Sequence, residues 1–158
     1  MTLYLLVETL HVIGATVLFG TGAGIAFFML MAHRSGDARV IAHTAGVVVI
    51  ADTLFTATAV VLQPVTGAWL AHTAGFPLGR GWLGLSLILY VVTGLFWLPV
   101  VWMQLRMRDL ARIAARDGTP LPAEYHRLWT LWFAFGFPAF LSVLAIIWLM
   151  VSKPDLPF

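Results

Sequence analysis

A chain of 158 residues that is 61% hydrophobic and 10% charged, with mean hydropathy +0.94, is not a water-soluble enzyme. Soluble domains run nearer half apolar and a quarter charged. The length suits one domain, 1–158, and zero cysteines exclude a disulfide framework, thiolate metal sites and cysteine nucleophiles. A net charge of +2 with no basic tract gives no reason to expect a nucleic-acid partner.

The charges are spaced as a membrane requires. There are 25 uncharged residues between Glu8 and Arg34, 27 between Asp52 and Arg80, 25 from Gly81 to Leu105 and 25 from Leu128 to Ser152. About 20 apolar residues cross the hydrocarbon core. The expected fold is therefore an all-α, four-helix transmembrane bundle with spans near 4–31, 44–72, 82–106 and 128–151. No Lys or Arg precedes the first run, which carries Glu8, so a cleaved signal peptide is not expected.

Seven arginines (Arg34, Arg39, Arg106, Arg108, Arg112, Arg116 and Arg127) flank one end of the spans, against Arg80 and Lys153 at the other. By the positive-inside rule the arginine loops face the cytoplasm and both termini lie outside, as in a multi-pass protein of a bacterial inner membrane. Arg108, Arg112 and Arg116 recur every four residues, so the third helix is expected to continue past the membrane to Gly118. That stripe reads as an anchor for anionic headgroups or as a partner-docking surface. Pro64, Pro99 and Pro138 each fall within a span and are expected to kink it. Most of the tryptophans sit near the interfaces as an aromatic belt, with Trp97 deeper.

Ionisable side chains within spans are functional candidates because lipid penalises them. In span one, Glu8 and His11 share a helix face three residues apart. In span two, Asp52, Thr56, Ala59 and Gln63 form one small-and-polar stripe that should face the bundle interior. His11 reads either as a haem ligand or as a hydrogen-bonded structural histidine. His72, at the outer end of span two, is a weak second ligand, about 180° round from Gln63; His33, His43 and His126 lie at the arginine end. Asp52 reads as a proton relay, a backbone donor, or, as the expected reading, the partner of Arg127 or Arg106. Gly14, Gly20, Gly22 and Gly24 give span one a small face for close packing or for a flat cofactor. There is no phosphate loop, HExxH or nucleophile elbow to assign a reaction.

Several motifs recur together: Leu10-His11-Val12-Ile13-Gly14-Ala15, Ala51-Asp52, Thr66-Gly67, the run from Trp97-Leu98-Pro99 to Leu105-Arg106, and Leu149-Met150-Val151-Ser152-Lys153-Pro154. In order and spacing they resemble the predicted integral membrane proteins of domain-of-unknown-function family 2269, over essentially the whole chain. That family is similar at a distance to the HemJ-type protoporphyrinogen oxidases and to CopD-like membrane proteins. The HemJ type carries a first-span histidine in a Leu-His context, which implies a haem b on His11. The HemJ pattern also uses a lysine within a later span; here the sole lysine is Lys153, outside the last span, which speaks against that oxidase activity.

Three functions follow as expectations. The first is haem b held by His11 for electron transfer or quinone-linked redox chemistry, with Glu8 orienting the imidazole or exchanging protons and Arg80 at a propionate. The second is an accessory subunit of a larger membrane complex, or a homo-oligomer, without a cofactor. The third is a small transporter with Glu8 or Asp52 as its proton site. The lipid bilayer is a partner in all three.

Overall fold

The computed structural model describes residues 2–157. Four helices account for nearly all of it: α1 (Thr2–Ser35), α2 (Ala38–Ala74), α3 (Gly81–Asp117) and α4 (Ala123–Ser152). Each is long and apolar enough to cross a membrane. Each also outruns the apolar window seen in the sequence, because its polar ends continue the helix beyond the hydrocarbon.

The turns have local causes. Between α1 and α2 only Gly36 and Asp37 intervene: Gly36 takes φ +68°, and the Asp37 side chain accepts from the Arg39 amide to cap α2. Gly75 and Gly118 close α2 and α3 in the left-handed conformation, Gly118 at the end expected from the arginine spacing. The helices run through Pro64, Pro99 and Pro138 without a break. The one irregularity within a span is a π-helical turn over Asp52–Thr56, which divides α2.

Packing is uneven along the bundle. At the arginine end α2 packs on α3, α3 on α4 and α1 on α2. This half holds the contiguous apolar core, in which Met29, Ile41, Met107 and Tyr125 are fully buried. Towards the termini the second half of α2 packs on α1, and the α1/α2 pair stands apart from the α3/α4 pair. Long aromatic side chains span the gap: Phe19 stacks on Phe140 with centroids 5.3 Å apart, and the Tyr90 hydroxyl donates to the Val60 carbonyl. Buried positions in this half are mostly small, among them Gly14, Ala59, Thr66, Ala71, Ser86 and Ser142.

Candidate functional site

The inward stripe of α2 is where the sequence places it. Asp52, Thr56 and Ala59 are buried, and Gln63 is half-buried. One turn further on, Thr66 and Gly67 complete a seat for His11 that the stripe alone did not disclose.

His11 is held at three points by α2. Its Nδ1 lies 2.8 Å from the Thr66 hydroxyl, its own backbone carbonyl accepts from Gln63 Nε2 at 2.8 Å, and its ring lies against Gly67. The glycines create this contact. A Cβ on Gly67 would stand 3.1 Å from His11 Cε1, and one on Gly14 would stand 2.3 Å from Gln63 Nε2. Close helix approach over small residues is the usual packing device in lipid.

The Thr66 hydroxyl has one proton, and it donates to the Leu62 carbonyl at 2.7 Å. The hydroxyl therefore accepts from His11 Nδ1–H, which leaves the Nε2 lone pair as the acceptor of a neutral imidazole. A hydrogen bond at one ring nitrogen that fixes the tautomer is how proteins present the other to a metal. Glu8, three residues away, is exposed and has no hydrogen bond among the described residues; Thr66 takes the orienting place expected of it. His72 is exposed, and five residues beyond Gly67 it lies about 140° round the helix from the face that meets His11.

The expected pairing of Asp52 with Arg106 or Arg127 is not what the structure shows. Arg106 engages Glu124 bidentately at 2.8 and 3.1 Å on the surface, and Arg127 is exposed. Asp52 instead accepts a long hydrogen bond, 3.4 Å, from the Trp97 indole. The physical reason is reach: the arginines find carboxylates in their own aqueous layer, whereas Asp52 lies within the span beside a deep tryptophan. The outward-facing Thr53 and Thr58 donate to the carbonyls four residues back, at 2.8 and 2.7 Å. The Thr56 hydroxyl is buried beside the Asp52 carboxyl, the acceptor within its reach, and among the described residues it does not bond the carbonyl four residues back. In the i→i+5 pattern Asp52 O accepts from the Ala57 amide, which shifts the carbonyl that Thr56 would otherwise bond.

Residues 5–154 match a family model described as predicted integral membrane protein (DUF2269). The chain belongs to that family. No curated protein and no solved structure gives a significant match. With four apolar helices of spanning length, this family member is a multi-pass integral membrane protein in contact with lipid. His11, Asp52, Gln63, Thr66, Arg80, Trp97 and Lys153 all lie within the matched segment.

At the terminal end, a cavity of about 610 Å³ opens between the α2–α3 loop and the C-terminal segment. Arg80 and Lys153 line it with Phe76 and Trp82, and Lys153 Nζ lies 5.7 Å from the Phe76 ring centroid. Among the described residues neither cation makes a salt bridge, although Asp155 also lines the cavity.

The Asp52–Trp97 pair supports a direct test. Trp97→Phe is expected to cost about 1–3 kcal/mol, because it strands a buried carboxyl. Adding Asp52→Leu is expected to recover part of that loss, since removing both partners leaves nothing unsatisfied. Unfolding titrations of the three variants in detergent micelles would measure it; equal losses in Trp97→Phe and the double variant would show the bond to be immaterial.

Proposed function

We propose that this protein binds haem b through His11 Nε2 and passes electrons within the membrane, to or from a quinone or a protein partner. One observation carries the reading: His11 Nδ1–H is committed to a Thr66 hydroxyl whose own proton is already committed to Leu62, so the ring is fixed with Nε2 free. Gly67 gives that ring the room to lie against α2.

The residues fit the group. The donor is a neutral nitrogen of the kind haem iron takes. The terminal half of the bundle, where His11 lies, has small buried side chains and separated helix pairs. Arg80 and Lys153 are cations without a salt bridge among the described residues at the adjacent end, where they would hold the propionates. The chain offers one imidazole on this face, so the reading is a single-histidine site.

The bound group would supply one-electron chemistry. The chain would supply the rest. Thr66 keeps the His11 tautomer and raises its basicity. Gln63 fixes the height of α1 against α2. In a bacterial host we place the protein in the inner membrane with its arginine end inward.

Expression with haem supply, purification in mild detergent and a reduced-minus-oxidised spectrum test this. A Soret band is expected, absent in His11→Ala and with haem affinity reduced about 10–100-fold in Thr66→Val. A well-folded wild-type protein without a Soret band would overturn the reading.

A further inference from the structure

The arginine stripe of α3 is not uniform. Arg108 and Arg116 each engage the aspartate that follows them, Asp109 at 2.9 Å and Asp117 at 2.7 Å. Arg112 between them has a single carboxylate contact, 3.9 Å from the same Asp109 oxygen that Arg108 already holds. Its guanidinium turns across to α2, where Nη2 stands 3.4 Å from the position of a Cβ on Gly46. The missing side chain at Gly46 leaves a groove of about 420 Å³ between the helices, lined by Ala42, His43, Gly46, Val47, Ile50 and Arg112.

The order of chemistry along this groove is that of a phospholipid. Arg112 and His43 mark its polar end. Val47 and Ile50 are 53% and 60% exposed, and Ile50 lies about 10 Å deeper along the helix than His43. A phosphodiester oxygen pair suits the fork of a guanidinium, and an imidazole N–H adds a further donor. Arg39 and Arg34, exposed on the same end of the bundle, raise the local attraction for anions.

We propose that this groove binds one anionic phospholipid, its headgroup phosphate on Arg112 and His43 and an acyl chain along Val47 and Ile50. The site is independent of His11. A free phosphate shares the headgroup chemistry but would leave the apolar floor uncovered, and this separates the two sources experimentally.

Native mass spectrometry of the detergent-solubilised protein, with added phosphatidylglycerol, phosphatidylcholine or inorganic phosphate, tests the proposal. One phosphatidylglycerol is expected to be retained in preference to phosphatidylcholine. Arg112→Gln should weaken that retention about fivefold, the effect of one basic residue at a membrane surface. Gly46→Leu fills the groove while keeping every charge, and should weaken it at least as much. Arg116→Gln, whose guanidinium is held by Asp117, should leave it unchanged. Equal retention of the two lipids, a preference that survives Arg112→Gln, or full displacement by inorganic phosphate would each overturn the proposal.

Discussion

Leucine at position 67 is expected to evict His11 from its seat and, under the function proposed above, to abolish haem retention. The seat has no slack on that side: a Cβ there would stand 3.1 Å from Cε1, 3.8 Å from Nδ1 and 3.9 Å from Nε2 of the imidazole. The imidazole is rigid, and the atom nearest the new Cβ is Cε1, a ring atom rather than the end of a flexible chain. It moves as a unit, and the move breaks the 2.8 Å bond to Thr66. Overpacking of this kind costs about 1–3 kcal/mol, and the lost hydrogen bond adds about 1 kcal/mol. Gly14→Ala differs because its new methyl would meet the end of Gln63, which can swing away; the loss is then the single bond to the His11 carbonyl, again about 1 kcal/mol. Gly20 faces open space, so Gly20→Leu is expected to change stability by less than about 0.5 kcal/mol. Haem-to-protein ratio and unfolding midpoint, measured together on the three variants, give the ordering. If Gly67→Leu kept its haem, the iron ligand would have to be sought elsewhere.

The spans and the inward stripe were readable because lipid enforces both. Spanning demands an uninterrupted apolar run, and any polar stripe within it must turn towards protein. The His11 seat was half readable. Thr66 lies three residues beyond Gln63, where the stripe read from the sequence ended, and only the approach of α1 shows that its hydroxyl meets an imidazole rather than a backbone carbonyl alone. The π turn left no mark that spacing could detect, because Asp52-Thr53-Leu54-Phe55-Thr56 contains no Gly or Pro to signal a change of helix type. Arg106 was the wrong partner for Asp52 for a reason visible only in three dimensions: Glu124, far along the chain, is delivered to it by the α3–α4 turn. Helix ends ran past the expected spans because hydropathy marks the lipid boundary, not the end of hydrogen bonding.

Met107→Ala is expected to cost about 2–5 kcal/mol of stability. Met107 is fully buried in the arginine-end cluster, among residues contributed by all four helices, including Met29, Ile41 and Tyr125. In water such a truncation loses both transfer free energy and packing. Met107 lies between Arg106 and Arg108, just beyond the expected span 82–106 and at the aqueous end of the bundle, so both parts apply to it. The same cluster holds two rigid rings, Tyr125 and Trp132, and the fully buried Ile41 is stiff at its branched carbon, so it collapses poorly around a cavity. Val61, which is 65% exposed on α2, supplies the contrast. Val61→Ala removes apolar surface that only lipid or detergent would touch, and should cost under about 0.5 kcal/mol. The ratio of the two losses, from reversible denaturant titration in micelles and again in bilayer discs, measures that contrast. A Val61→Ala cost that matched Met107→Ala would mean that the exposed face of α2 is covered by protein, and that this chain works with a partner seated there.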